Sequence, residues 1–341
     1  MMRDPVVLTV ILNWRTPDMT LKAAEAALRA MEGLRGEITI VDNASGDGSF
    51  EKLRAAVKER GWDRVRVLQS GRNGGFGAGN NHGIRAGLRD GSRPDYYYIL
   101  NSDAFPAPDA IRVLVDYLEL HHHVGFAGSH IHGPDGQPHL TAFRFPSIAS
   151  EFEGAVRFGP VSRLLRRRRV PMDLPTLSRR VDWLAGASLM MREPVLRRIG
   201  LFDETYFLYF EETDLCLRAA RAGWITHYVT ESRVEHIGSV STGMKEWREV
   251  PGYWFDSRLY YFVANHGPLT AALATTAHLA GGLLWRLRAT LQRKPRQDPP
   301  GFLRQLFVHD LKAGAKALRD RLAKAAAGRR MASSPSDAKD V

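Results

Sequence analysis

Apolar runs that each end in a polar residue alternate, along the first hundred positions, with segments of helical period. Residues 6–12 (VVLTVIL) end at Asn13, and residues 38–41 end at Asp42. Residues 65–68 lead into a glycine-rich loop, and residues 96–100 (YYYIL) end in Asn101-Ser102-Asp103. Short apolar runs bounded by turn residues predict strands buried on both faces, as in a parallel sheet. Between them, Thr16-Pro17 read as the cap and first residue of a helix reaching residue 31, and residues 50–60 as a second helix. The alternation predicts an α/β fold with right-handed crossovers. Its polar strand ends, Asn13, Asp42, Asn73 and Asp103, would gather along one edge, where ligands of open parallel sheets bind.

Residues 124–131 continue the series as a strand. Residues 133–180 are rich in Pro, Gly and Arg, without strong periodicity, and predict loops over an acceptor side. Patterning resumes at 181–191. Residues 206–210 then run into Glu211-Glu212-Thr213-Asp214, followed by a helix over 215–222 and a strand over 224–229. Residues 269–285 form a largely apolar stretch of 17, the short limit for a membrane span. Beyond it, Leu303, Phe307, Leu311, Leu318 and Leu322 fall near helical spacing, with Arg304, Lys312, Lys316, Arg319 and Lys324 between them. That pattern suits a helix lying on an anionic bilayer, and equally a helix packed on the body with a solvated basic face.

Charge sharpens the picture. The formal net charge is +11, but residues 286–341 hold 14 Lys and Arg against 5 Asp and Glu, a surplus of 9. The body is nearly balanced, which argues against nucleic acid as partner and makes basicity a property of the C-terminal segment. The single cysteine, Cys216, excludes an internal disulfide, and no apolar signal segment stands ahead of the first strand. Both point to the cytoplasm.

Three groups could carry chemistry. The loop from Asn73 to Asn81 has Asn80 where a dinucleotide fingerprint wants a third glycine. It still offers backbone N–H groups and a positive helix end to a nucleotide, unless its glycines serve turn geometry alone. Asp103 either caps the helix near Pro108 or meets a divalent cation that takes its other ligands from phosphates and water. Glu211, Glu212 and Asp214 repel one another and can raise a pKa toward general-base range, or they simply favour a solvated helix start.

Taken in order, VILNW, VDNASGDGS, NGGFGAGNNHGI, YYILNSD, DWLAGASLMMR, GLFDETYFLYFEETDLCLRAARAGW and HIGSVST resemble the inverting family 2 glycosyltransferases of GT-A fold, especially the bacterial rhamnosyltransferase-like branch. The resemblance covers residues 6–265. It implies a mainly parallel central sheet flanked by helices, with a catalytic domain over 1–265, a basic helical extension over 266–330 and a disordered tail over 331–341. It further implies that Asn13 and Asp42 contact the nucleoside, and that the loop from Asn73 through Gly75 to Asn81 packs along the nucleotide. Asn101, Ser102 and Asp103 stand in the place of the Asp-x-Asp motif, with Asp103 binding Mg²⁺ or Mn²⁺ and His236 helping to hold metal or phosphates. Glu211-Glu212 replace the usual Glu-Asp pair, making Glu212 the candidate base and Asp214 the second. Trp183, Gly186 and Ala187 line the acceptor side, where small side chains would leave room for a sugar.

The function this implies is inverting transfer of a sugar, with rhamnose one candidate, from a dTDP- or UDP-linked donor. The acceptor would be a glycan or lipid-linked hydroxyl in cell-surface polysaccharide synthesis, met in the cytoplasm or at the inner face of the plasma membrane. A nucleotidyltransferase would need a strongly basic first glycine loop, and only Arg72 is there. A non-catalytic membrane or nucleic-acid binding module is the third class.

Overall fold

The structure, a computed structural model, describes residues 4–238, 249–295 and 298–332, with side chains described to residue 320. Ser239 to Thr242 of the last motif, and residues 333–341 of the expected tail, lie outside the described residues.

The first half alternates as the pattern requires: β1 (Val6–Asn13), α1 (Pro17–Ala30), β2 (Arg35–Asp42), α2 (Ser49–Glu59), β3 (Val65–Gln69), α3 (Gly75–Ala86) and β4 (Tyr96–Asn101). Next come β5 (Ala104–Pro106), α4 (Ala110–Leu120), β6 (Val124–His132), β7 (Ala142–Phe143), α5 (Ile148–Val156), α6 (Gly159–Leu164), β8 (Arg179–Val181), β9 (Trp183–Leu184) and β10 (Ser188–Arg192). The chain ends with α7 (Glu193–Ile199), α8 (Glu211–Arg221), β11 (Ile225–His236), α9 (Gly252–His266), α10 (Pro268–Leu291) and α11 (Phe302–Ala332).

The central sheet runs β3-β2-β1-β4-β10-β6-β11-β5, with β8 on β11. Strands β1 to β4 are mutually parallel, and β6 is parallel to β11. β10 enters antiparallel between β4 and β6, so the sheet is mixed beyond β4. The apolar run of β4 explains itself by period two. Tyr96, Tyr98 and Leu100 join the core beneath α1 and α4, while Tyr97 and Ile99 join the one beneath α7 and α8.

The stretch expected to be loops folds instead around α5. Ser147 and Ser150 cap it reciprocally. Its packing partner, α10, lies more than a hundred residues downstream, beyond any local signal. A methyl group at Gly281 would stand 2.7 Å from Phe152 O, and one at Gly282 2.7 Å from Leu303 Cδ2, so this glycine pair lets α5 and α11 approach α10 closely. Phe302, Leu303 and Leu306 are buried, which shows the start of α11 packed on the body, whereas Phe307, Leu311 and Leu318 are exposed. Among the described residues no helix is long and apolar enough to cross a membrane.

A buried charge cluster fastens these helices. Arg258 of α9, 1% exposed, donates to Glu151 Oε2 at 2.7 Å, to Thr275 Oγ1 at 3.1 Å and to Asp310 Oδ2 at 3.4 Å. His278 Nδ1 lies 2.8 Å from the same Glu151 oxygen. Burial would raise Glu151, but Arg258 and His278 outweigh it and pull its pKa down to about 2. Its contribution to stability is therefore complete above the ordinary glutamate value of 4.5 and is lost as pH falls toward about 2. Arg258→Met removes the guanidinium that Glu151 and Asp310 share. It should lower unfolding free energy by about 3–5 kcal/mol in urea titrations, and a loss below about 1 kcal/mol would remove the cluster as the fastening.

Candidate active site

At the carboxyl ends of β1 and β2, Asn13 and Asp42 are register partners, and both are fully buried. Asp42 Oδ1 accepts from Asn13 Nδ2 at 2.8 Å and from Ser45 Oγ at 2.6 Å, and its Oδ2 accepts from Ser45 N at 3.1 Å. Asn13 Oδ1 accepts from Thr20 Oγ1 at 2.8 Å. The chain itself thus occupies most of their hydrogen-bonding capacity, and the pair forms a clasp fixing two strand ends. Ser45, which completes the clasp, was not among the expected site residues. An Asp followed three positions later by Ser is a turn signature that could have found it.

The glycine loop is shaped by a close approach. Gly75 has φ +87°, and a methyl there would stand 1.8 Å from Phe207 O. Phe76 N donates to that same carbonyl at 3.0 Å, so the loop docks on residues 206–210. Asn73 Oδ1 accepts from Gly75 N at 3.0 Å and from Asn43 Nδ2 at 2.9 Å, tying the loop to the end of β2. Asn81 is fully buried. Its amide donates to Phe202 O at 2.8 Å and to Glu204 Oε1 at 3.0 Å and accepts from Phe202 N at 3.1 Å, which makes it a fastening of α3.

At the end of β4, Ser102 Oγ accepts from Thr16 Oγ1 at 3.2 Å. Asp103 does not cap a helix, because α4 is entered at Asp109. Asp103 Oδ1 lies 3.1 Å from His236 Nε2, and its Oδ2 accepts from Gly238 N at 3.1 Å. His236 is delivered by β11, whose last residue pairs with Ala104 of β5, and Asn101 Nδ2 approaches the same imidazole nitrogen at 3.3 Å. Burial would raise Asp103, but His236 and the Gly238 amide hold its carboxyl below the ordinary range. Among the described residues no group of three or more His, Cys, Asp and Glu could hold a metal alone. One carboxylate and one imidazole side by side fit a hard cation that shares its ligation with phosphates and water.

The acids arrive by a strained route. Tyr209 and Phe210 adopt φ +70° and +69°, each costing about 1–3 kcal/mol, immediately before α8. Glu211 is buried, and its Oε2 has no hydrogen-bond partner among the described residues. Burial, then the adjacent Glu212, raise Glu211 well above the ordinary value. Burial also raises Glu212, but its Oε1 accepts from Gly186 N at 3.0 Å. Two carboxyls so close do not both ionise readily, and the deeper burial of Glu211 puts the proton there and the charge on Glu212. Asp214 is engaged elsewhere: Arg218 Nε donates to its Oδ2 at 2.7 Å and Asn265 Nδ2 to its Oδ1 at 2.8 Å.

These pieces meet at two residues. Gly186 N binds Glu212, and Ala187 O accepts from Asn101 N at 3.1 Å. The end of β4 and the acid helix therefore bracket one segment of backbone. A family model described as "Glycosyltransferase like family 2" matches residues 5–255. The chain belongs to this family. It is 29% identical over 310 residues to an N-acetylglucosaminyl-diphospho-decaprenol L-rhamnosyltransferase of Mycobacterium tuberculosis, covering 85% of this chain and 96% of that one. Two solved structures share the fold. A mannosyltransferase of Pyrobaculum calidifontis, in complex with GDP-Man and Mn²⁺, aligns with TM-score 0.50 at 14% identity, over 94% of this chain and 88% of the other. GalNAc-T7 with UDP, GalNAc and Mn²⁺ aligns with TM-score 0.52 at 15% identity, over 91% and 55%. The protein is a glycosyltransferase of GT-A fold.

In this glycosyltransferase the space left by Gly186 is taken by two other side chains. A methyl at Gly186 would stand 2.7 Å from Glu212 Oε1 and 2.8 Å from Phe76 Cζ. The missing side chain makes room for the carboxylate and for the glycine-loop aromatic. Trp183 stacks on Phe143 with ring centroids 4.2 Å apart, and its Nε1 donates to Arg144 O, so its indole stiffens the β7–β9 ribbon. Gly186→Ala should displace Glu212 and lower kcat about a hundredfold with an unchanged circular dichroism spectrum. An unaltered kcat would show that this amide does not set the position of the acid.

Proposed function

We propose that the protein transfers a sugar from a nucleoside-diphosphate donor to a hydroxyl of a glycan or lipid-linked acceptor, inverting the anomeric centre in one displacement. The observation that carries this reading is the bracketing of residues 186–187 by Asn101 on one side and Glu212 on the other. Glu212, kept ionised by the Gly186 amide, takes the proton of the acceptor hydroxyl. Glu211 keeps its proton and so adds no second negative charge beside the base. Asp103 and His236 would hold Mg²⁺ or Mn²⁺, which supplies positive charge where the diphosphate departs. The clasp of Asn13, Asp42 and Ser45 gives the nucleoside a rigid floor, and the loop from Asn73 supplies backbone amides along the nucleotide.

L-rhamnose is the sugar best supported, because the Mycobacterium tuberculosis relative bears an L-rhamnosyltransferase name and aligns over nearly its whole length. The same name supports a polyprenyl-diphosphate-linked sugar as acceptor. Uracil and thymine offer the same N3–H edge, so dTDP- and UDP-linked donors are both to be assayed.

Glu212→Gln should lower transfer about a hundred- to ten-thousand-fold with donor affinity retained in calorimetry. Glu211→Gln, which resembles the protonated acid, should keep most activity at neutral pH. Equal losses in the two variants would remove the division of roles. In the wild type, kcat should fall as pH drops through a pKa above the ordinary glutamate range, since Glu212 is raised. EDTA should abolish transfer and added Mn²⁺ or Mg²⁺ restore it, and full activity in EDTA would rule out the cation.

A further inference from the structure

The two faces of α10 are made of different material. Its inner face is small or buried: Ala271, Ala274, Gly281, Gly282, Trp285 and Ala289 pack inward, with Gly281 against α5 and Gly282 against α11. Its outer face exposes Leu269, Leu273, Leu283, Leu284, Leu287 and Leu291, each between 46% and 76%. Thr276 and Ala280 fill the gap in the same row. The positions recur every three or four residues, so they form one stripe along a helix of 24 residues, about 36 Å long. No Asp, Glu, Lys or Arg occurs from residue 268 to 285. A water-soluble surface rarely carries so long an uncharged row.

Cations flank the stripe. Arg288 donates to Val156 O and lies over the Phe158 ring, 4.6 Å from its centroid, which sets the start of α6 beside the C-terminal half of α10. The segment that follows exposes Arg163, Leu164, Arg166, Arg167 and Arg168, and none of these arginines pairs with a carboxylate among the described residues. On the other side, α11 exposes Phe307, Leu311 and Leu318 with Lys312, Lys316 and Arg319 interspersed.

We propose that the outer face of α10 is the surface by which the enzyme seats on an anionic bilayer, the helix lying in the membrane plane with its leucines among the acyl chains and the flanking arginines and lysines on lipid phosphates. This deepens the reading of a lipid-linked acceptor and rests on it for its purpose. Charge selects the occupant: two copies joined through this face would bring their basic segments together, whereas phosphate headgroups neutralise them. The seat is mechanically joined to the catalytic end. α10 follows α9 directly, the Ser257 hydroxyl of α9 donates to Leu208 O at 3.0 Å, and the Tyr253 ring lies 5.4 Å from that of Phe207. Both partners belong to the strained segment that leads to Glu211.

The test is sedimentation of full-length protein with vesicles of equal parts phosphatidylglycerol and phosphatidylcholine, against vesicles of phosphatidylcholine alone. The wild type should bind the anionic vesicles and be released by salt. Leu283→Glu with Leu287→Glu should weaken binding about tenfold or more, while transfer to a water-soluble acceptor analogue and the melting temperature are kept. Replacing Arg166, Arg167 and Arg168 by Ala should weaken anionic binding alone. Wild-type sedimentation of the leucine variant overturns the proposal, as does a wild-type dimer in solution that these substitutions dissociate while vesicle binding stays unchanged. Absence of sugar transfer with every donor, vesicle binding being intact, would instead defeat the reaction and leave the seat standing.

Discussion

One backbone amide with nothing above it organises the catalytic end of this protein. The Gly186 N–H reaches Glu212 only because no side chain intervenes, and the same gap admits the edge of Phe76. Everything nearby follows from that closeness. β10 enters the sheet against the direction of its neighbours, which turns the chain so that residues 186 and 187 lie across the end of β4. The amide of 186 then faces the acid helix, while the carbonyl of 187 takes the Asn101 N–H.

The electrostatics obey the same economy of position. Three carboxyls within four residues of α8 meet three environments: Glu211 is buried with its Oε2 unpartnered among the described residues, Glu212 is half-buried and bonded by one amide, and Asp214 has Arg218 and Asn265. Glu211 is raised further than Glu212 although the two side chains are chemically identical. At the other end, Arg258 holds Glu151 ionised, reaches Asp310 as well, and fastens helices that the sheet does not reach. A buried pair of this kind contributes less to net stability than to fixing one arrangement among several.

The parts of this architecture that local pattern can encode were readable in advance. Strand β4 announces burial on both faces through five apolar residues, and the polar ends of β1, β2 and β4 point to the ligand edge. Asp103 stands out as the carboxylate closing an apolar run, whereas Glu212 is singled out from its acidic neighbours only by the family resemblance. Long-range pairings were not readable. Nothing near residue 150 signals that α5 has α10 as its partner, so that stretch looked like loop. Gly186 looked like space for a sugar because the occupants of that space, Phe76 and Glu212, lie 110 residues before and 26 after it. Asn13 and Asn81 are polar residues in the right places whose capacity is taken by Thr20 and Phe202, a fact only tertiary contact reveals.

The excursion between β6 and β10 has its own logic. Its two ends leave and re-enter the sheet side by side, with the Ser129 and Ser188 hydroxyls 2.6 Å apart at the junction. An insert anchored at adjacent points leaves the pairing of β1 to β4 intact, and here it is tied in further through β8 on β11 and the Ala187 carbonyl on Asn101 N. This one carries the β7–β9 ribbon, the α5 platform beneath α10 and the arginine-rich turn after α6. One excursion from the sheet therefore supplies both the backbone that meets Glu212 and the platform under α10, while β1 to β4 pair with one another without it.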